Sequence, residues 1–522
     1  MRRVIFLSIL LGFIGQAALA QNIVHFTIDA QRDVHPISRL IYGVNQPIGQ
    51  QWTHATFERF GGNRTTEYNW ITNASNAGTD WHCISDDYYP GKTPGAAIAS
   101  LLKNASDHNA GALITVPIIG YVAADENGDD VRTSGPNYLQ TRFHQSAPVK
   151  GAPFTPTPDP NAPVVYQDEF VNWVKVNYPY GQTDANRPIW FTLDNEPDIW
   201  AENHREVHPK KTTYAELIER TIAYATAIKN VEPNALVFGP ANYGWNGYVS
   251  LQDALDRQGR DFHIFYLQEM AKASAAAGKR LIDAVDIHYY PEATGGGVRV
   301  ITPDSAPAVV AARLQAPRSL WDPDYMETSW ITKKIHRPIE VIPELQDKIT
   351  VNFPGTKIAI SEYNFGGGGD ISGGIAEADV LGIFGRTGVF SANEWTNAAP
   401  EPFIFIDVGF AMFRDFDGKD GSFGDTSISA ITDNVPDTSI YASLDSANPN
   451  RMVLVAINKT GHAITADVRL KGSKPLSSAV VYQLTSNNPS PVSAGSMPVN
   501  DPTHFTYTMP AYSVSTINLV AP

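Results

Sequence analysis

The chain has 522 residues, 43% of them aliphatic or aromatic and 18% charged, which suits one large folded unit plus a smaller one and argues against disorder. Its 54 acidic against 39 basic residues leave a net charge of −15, so duplex nucleic acid and anionic membranes, which call for a basic surplus, are poor partners. A neutral ligand fits this balance better. Trp, Tyr and Phe make up 11%, many in Gly- or Asn-rich contexts where flat faces could stack on sugar rings, although most must be ordinary core residues.

The first residues have the shape of an export signal: Arg2 and Arg3, an apolar stretch from Val4 to Ile14, then Ala18-Leu-Ala20 as a cleavage pattern. The apolar run is too short to span a bilayer, so residues 1–20 are read as a signal peptide and the protein as secreted or periplasmic. Cys83 is the one cysteine, so no internal disulfide can form, and a buried free thiol is expected there. A monomer is expected.

Taken in order, Ile23 to Ile28 reads as a strand, Leu40 to Val44 as a second, and Phe57 to Phe60 as a third that ends on Gly61-Gly62. A helix over 96–108 precedes the short β-rich run Ala112 to Pro117. Residues 125 to 165 are polar, rich in Pro and Gly and without a period, and predict a long loop excursion. A helix over 169–176 leads to Pro188–Leu193, an apolar strand that stops at Asp194-Asn-Glu-Pro-Asp-Ile-Trp200. Pro197 cannot donate to a ladder and is expected to push Glu196 into extended geometry at the strand end. Helices over 214–231, 262–277, 340–349 and 375–388 alternate with strands at 236–239, 281–288, 357–362 and 391–395.

This alternation predicts parallel strands with helical crossovers, and strands near 41, 58, 114, 191, 237, 286, 359 and 392 predict a (β/α)8 barrel over 40–426. From about residue 427 the texture changes to short Val-, Thr-, Tyr- and Ile-rich runs between turn residues, which predicts an antiparallel β-sandwich over 427–522. The strand within 21–39 has no helix after it and is expected to pair with this sandwich.

Two strand ends share one grammar. Glu196 ends the fourth barrel strand and Glu362, in Lys357-Ile-Ala-Ile-Ser-Glu-Tyr-Asn364, ends the seventh. Two carboxyl groups across a barrel mouth can cleave a glycosidic bond, one protonating the leaving oxygen and the other attacking or activating water; the bland alternative is two unrelated loop glutamates. His288 and Tyr290 end the sixth strand with a two-residue period and could bond a carboxylate. Arg59 or Arg64 could hold one glutamate ionised. Trp395 could floor the site and Trp70, Trp245 and Trp330 could line a cleft, each equally placed to be core. Asp286 with His288 makes a metal pair without an evident third ligand. Asp415-Phe-Asp-Gly-Lys-Asp-Gly-Ser422 and Asp125-Glu-Asn-Gly-Asp-Asp130 have calcium-like spacing but lack a closing Glu.

The ordered set Phe60-Gly-Gly-Asn63, Tyr68-Asn-Trp70, Asp194-Asn-Glu-Pro-Asp-Ile-Trp200, His288-Tyr-Tyr-Pro291 and Ser361-Glu-Tyr-Asn364 resembles glycoside hydrolase family 44. The resemblance implies a barrel plus β-sandwich and retaining endo-hydrolysis of β-1,4-glucans such as soluble cellulose and xyloglucan. It further implies Glu196 as general acid/base, Glu362 as nucleophile, Asn195 on the substrate 2-hydroxyl, and Arg59, His288 and Tyr290 in support. No cofactor is implied for catalysis; a structural calcium or zinc is, with ligands left unassigned. The same machinery acting on xylan, mannan or arabinosides, a non-catalytic glycan-binding barrel, and a metal hydrolase using Asp286 and His288 are the alternatives.

Overall fold

The computed structural model describes residues 22–45, 47–49, 54–395 and 403–521, so the export signal expected at 1–20 lies outside the described residues. Eight strands, each parallel to its neighbours, close into a barrel in chain order: Gly43–Val44, Phe57–Phe60, Gly111–Val116, Ile189–Leu193, Val237–Asn242, Ala284–Tyr289, Lys357–Tyr363 and Ser391–Glu394. The first is shorter than expected. Ser38 accepts from the Leu40 amide at 3.3 Å and starts a turn of 3-10 helix over Arg39–Ile41, a local bond that competes with the ladder.

Alternation along each strand divides inside from outside. Leu40, Phe57, Leu113, Phe238, Ala284 and Ala359 form a core of their own, separate from the large core that includes Phe191, Val285 and Ile360. Trp190 packs against that smaller core and stacks on Phe238 and Phe390 with ring centroids 6.0 and 5.5 Å away. This plug makes the barrel interior solid at the level of Trp190 and leaves chemistry to the C-terminal rim.

The crossover helices form for reasons written in their ends. Tyr214–Val231 is capped by Thr213, whose side chain accepts from the Glu216 amide at 3.2 Å, and it buries Leu217, Ile218, Thr221, Tyr224, Ala225 and Ile228 at helical spacing. Phe262–Ala277 starts at the Asp261 cap and ends on Gly278 at φ +65°. Ile371–Thr387 begins four residues before the expected start, at the Asp370 cap, and is buried nearly all round because the β-domain covers the face turned away from the barrel. There Tyr441 donates to Asp379 at 2.6 Å and Lys459 pairs with it at 2.7 Å. Helices Pro307–Gln315, Trp330–Ile335 and Ile404–Arg414 add to those expected from sequence.

Residues 125–165 are not the bare excursion expected. Phe143–Ala147 pairs with Tyr121–Ala123 and Val164–Tyr166 in a small three-stranded sheet, too short for periodicity to reveal. The second unit is a run of strands around one apolar core of Val24, Phe26, Ile28, Leu454 and their neighbours. The strand Ile23–Asp29 lies inside it, antiparallel to Thr426–Thr432 and parallel to Ile464–Lys471.

Candidate active site

Arg59 sits on the inward parity of the second strand, two residues after Phe57, and its guanidinium is buried at the barrel mouth. One terminal nitrogen, Nη1, donates to Glu362 Oε1 at 2.7 Å and to Asn45 Oδ1 at 3.0 Å; the other, Nη2, donates to Asn195 Oδ1 at 2.8 Å. The chain after Arg59 must clear this fork. A Cβ on Gly61 would lie 2.2 Å from Arg59 Cζ, and one on Gly62, at φ +91°, would lie 2.7 Å from the Trp395 ring. Trp395 therefore packs over the Gly-Gly turn beside the site. Arg64 is engaged elsewhere, with Asp86 at 2.6 and 3.1 Å and over the Tyr88 ring.

Glu362 owes its position to an irregularity. Strands six and seven pair Ile287 with Ile360, then His288 with Glu362, so one residue is skipped. Ile358 and Ile360 belong to the outer core, and the skip turns Glu362 to the interior beside His288. Tyr290 donates its hydroxyl to Glu362 Oε2 at 2.9 Å. His288 Nδ1 lies 2.9 Å from Glu196 Oε1 and 3.3 Å from Glu362 Oε2, bridging the two carboxyl groups. Its Nε2 faces Arg59 Nη2 at 3.5 Å; because a guanidinium only donates, Nε2 is the accepting nitrogen and Nδ1 carries the proton. Burial and the Arg59 charge push the imidazole well below its ordinary pKa, so this neutral tautomer is the resident form.

Glu196 departs from the expected extended geometry. It sits at φ +47°, ψ +53°, the left-handed region, as does Asp194 at φ +65°. Pro197 disfavours the right-handed helical region at the preceding residue and favours extended backbone, but the local bonds hold Glu196 in the left-handed region instead. The Glu196 amide donates to Ala241 O at 3.0 Å, and its carbonyl accepts from Ile199 at 3.0 Å in the 3-10 turn that Pro197 opens. Such strain costs about 1–3 kcal/mol and persists where the surroundings over-determine it. Asp194 supplies much of that: its carboxylate accepts from the amides of Ile118, Ile119 and Asn195 at 2.5, 3.0 and 2.9 Å. Asp198 takes the Tyr243 amide at 3.0 Å and the Asn242 side chain at 3.3 Å. Both aspartates are scaffold.

The two glutamates differ electrostatically. Burial, then the facing Glu362 charge, then Asp198, hold the Glu196 carboxyl well above the ordinary range. Burial raises Glu362 too, but the Arg59 contact and the Tyr290 hydroxyl oppose it. One oxygen of each carboxyl and one His288 nitrogen lie within 4.8 Å of one another. The Arg59 guanidinium, already in contact with Glu362, disfavours a divalent cation among them.

Beside Tyr290 opens a cavity of about 190 Å³ walled by Tyr243, Trp245 and Trp330, with Glu292 and Arg299 at its edge. Tyr243 is 43% exposed, and burial together with the Glu196 charge raises its phenol. Trp245 and Trp330 thus line a cleft, whereas Trp70 does not. It is 1% exposed and stacked on Phe170 with ring centroids 5.7 Å apart, in the helix layer. Asp286 and His288 do not share a ligand position, since the Asp286 carboxylate accepts from the Ser361 amide at 3.1 Å and from Thr192 at 3.3 Å. In the Asp125–Asp130 stretch Arg142 pairs with Asp125 and Asp129, and Arg132 with Asp130, each at 2.6 Å. His54 lies between Asp415 and Asp420 at 3.1 and 3.3 Å. Asn45 and Tyr243 are site residues that sequence reasoning missed. A polar residue directly after the first strand was the one available signal for Asn45.

The sequence profile of glycoside hydrolase family 44 matches residues 74–293. Endoglucanase A of Paenibacillus lautus is 37% identical over 523 aligned residues, covering 96% of this chain and 73% of that protein. Among solved structures, a family 44 endoglucanase from Clostridium thermocellum superposes with a TM-score of 0.89 at 38% identity, covering 95% of this chain and 100% of the other. A family 44 xyloglucanase from Paenibacillus polymyxa, determined with xyloglucan, gives a TM-score of 0.90 at 36% identity over 96% of this chain and 100% of the other.

Proposed function

The chain belongs to glycoside hydrolase family 44, and on that premise we propose that it is a retaining endo-β-1,4-glucanase acting on soluble β-glucans and xyloglucan. The observation that carries this reading is the asymmetric pair: Glu196 and Glu362 converge on His288 Nδ1, but only Glu362 touches Arg59. Neutral His288 donates Nδ1–H to Glu196 Oε1, so the acid proton of Glu196 resides on Oε2. In the first step an ionised Glu362 oxygen attacks the anomeric carbon while that proton passes to the departing glycosidic oxygen. In the second, Glu196, now a carboxylate, takes a proton from water; the water oxygen bonds to the anomeric carbon and the Glu362 ester breaks.

Carboxyl oxygens within 4.8 Å of each other favour direct attack; inverting enzymes hold their carboxyl groups roughly 6.5–9.5 Å apart to seat a water between them. Asn195, held by Arg59 and by the Gly62 amide at 3.2 Å, is poised for a sugar hydroxyl. Trp245, Trp330 and Tyr243 offer faces on which glucose rings stack. Two carboxyl groups perform this chemistry without a cofactor. The endoglucanase and xyloglucanase relatives support a polysaccharide substrate. Residues 1–20 are read as an export signal and the protein as a secreted monomer; among the described residues no helix is long and apolar enough to cross a membrane.

The test is early-time proton NMR of hydrolysis on xyloglucan and carboxymethyl cellulose. New β-anomer appearing before mutarotation is expected, and α-anomer first would overturn retention. Glu362→Ala should lose at least about 10⁴-fold in kcat. With azide it should yield the α-glycosyl azide, whereas Glu196→Ala should yield the β-azide. Exchanged outcomes would reverse the two roles.

A further inference from the structure

Strand seven carries an extra residue against both of its neighbours, and that residue directly precedes Glu362. On the strand-six side the pairing steps from Ile287–Ile360 to His288–Glu362, passing over Ser361. On the strand-eight side it steps from Ile360–Ala392 to Tyr363–Glu394, so Ser361 and Glu362 stand against Asn393 alone. A bulge of this kind re-aims a side chain, but it also disrupts the ladder that fixes the strand. Here two side chains from other strands grip the bulged residue. Asp286 Oδ1 accepts from the Ser361 amide at 3.1 Å, and Asn45 Nδ2 donates to the Ser361 carbonyl at 2.8 Å.

Both gripping side chains are themselves held. Asp286 is buried on the inward parity of strand six, between Ala284 of the barrel plug and His288. Its second oxygen accepts from Thr192, on strand four, at 3.3 Å. Asn45 follows strand one, and its backbone amide donates to Glu394 O at 2.9 Å. Besides Ser361 O, its Nδ2 reaches Asn393 O and Glu394 O at 3.2 and 3.3 Å, so one side chain ties together the ends of strands seven and eight. The partners fix which way the Asn45 amide faces: the three carbonyls only accept, and Arg59 Nη1, 3.0 Å from Oδ1, only donates. A turned amide would set donor against donor and acceptor against acceptor at every contact.

We infer that Asn45 and Asp286 are positioning residues for Glu362, a role that rests on the reading of Glu362 as nucleophile: together they clamp the Ser361 bulge, and Asn45 aligns with it the Arg59 fork that meets Glu362. A strand free to lose its extra residue would turn Glu362 to the outer face, where Ile358 and Ile360 pack. The clamp therefore fixes where the Glu362 carboxyl stands relative to Arg59 and Tyr290. Misplacing a reacting group by about 1 Å costs about 10²-fold in rate, which sets the scale of the effect. The rival is that both residues merely satisfy buried backbone groups and are removable at a cost in stability alone.

The test pairs crystal structures of full-chain variants with steady-state kinetics on xyloglucan. In Asn45→Ala and Asp286→Ala the Glu362 carboxyl should leave Arg59 Nη1, and kcat should fall about 10²-fold with KM within about threefold of wild type. Asp286→Asn keeps an acceptor for the Ser361 amide and should recover at least about tenfold of the kcat that Asp286→Ala loses. Glu362 unmoved in both alanine variants overturns the inference, whatever the turnover. Glu362 displaced with wild-type kcat supports the clamp and counts against Glu362 as nucleophile, so the two readings fail separately. Should the alanine variants not fold, the isosteric Asn45→Asp decides. It turns an oxygen toward the Ser361 carbonyl in place of a donor, and kcat should fall at least about tenfold; wild-type kcat there overturns the inference.

Discussion

Arg59 holds Glu362 through a guanidinium that is itself sealed from water, so a single cation makes two otherwise similar glutamates electrostatically different. The fork matters as much as the charge, because its two terminal nitrogens reach Glu362 and Asn195 separately. Arg59→Lys keeps one positive charge but cannot span both, so kcat/KM should fall on the order of 10²-fold. The pH profile carries the more specific signature. In the proposed mechanism turnover requires ionised Glu362, so that group would set the acid limb; weakening its cation raises its pKa and should move the limb to higher pH, while the alkaline limb, assigned there to protonated Glu196, should shift much less. A uniform loss with an unmoved acid limb would show that Arg59 only builds the site. The tie between Arg59 and Arg64 could not be broken from sequence, because both flank the same Gly-Gly turn. Their difference is one of element: Arg59 points inward from the second strand, whereas Arg64 lies on the short helix Asn63–Thr66 beyond the turn and meets Asp86.

Among elements, the strand ends carry the two glutamates and the irregularities aim them. The Gly61-Gly62 turn is glycine for steric reasons on both sides, one against Arg59 and the other against Trp395. Gly61→Ala should push the Arg59 fork off Glu362 and reduce kcat by about 10²-fold or more while leaving the far-ultraviolet circular dichroism spectrum unchanged. Steady-state kinetics beside that spectrum checks it; wild-type turnover would mean the fork can shift without loss. Helices over 214–231 and 262–277 were legible to the residue, since each has a side-chain cap at the start and helical spacing of its buried residues. The skipped residue between strands six and seven was not, because pairing register is a property of two strands and neither sequence alone contains it. The left-handed Glu196 was likewise hidden, as the bond from its amide goes to Ala241 on the next barrel strand.

On the scale of the whole molecule, burial of ionisable groups ties stability to pH. Glu58 lies on the face of the second strand opposite Arg59, 1% exposed, with Oε2 unpartnered, and burial pushes its carboxyl from 4.5 up to about 9. A carboxyl whose folded pKa is raised contributes stability that is full below its unfolded value and is lost as pH rises through the folded one. The window is therefore 4.5 to about 9. Glu58→Gln keeps the shape and removes the titration, so the Tm of this variant should gain on the wild type steadily across that window. Scanning calorimetry at several pH values tests this; parallel curves would show that Glu58 does not titrate in the folded state.

What the sequence determined by itself was everything that local order can encode: the strand–helix alternation that requires a barrel, the change of texture near residue 427, and carboxylates at two strand ends. These follow from side-chain period, caps and turn residues, which act over a few neighbours. Tertiary structure alone decided which side chains meet. Arg59 and Glu362 are 303 residues apart, and Glu196 and His288 are 92 apart. Barrel closure and one register skip place them in contact. The same closure sends Trp70 into the helix layer and leaves Trp245 and Trp330 on a cleft. A residue's type is local, but its partners are fixed by how the strands close.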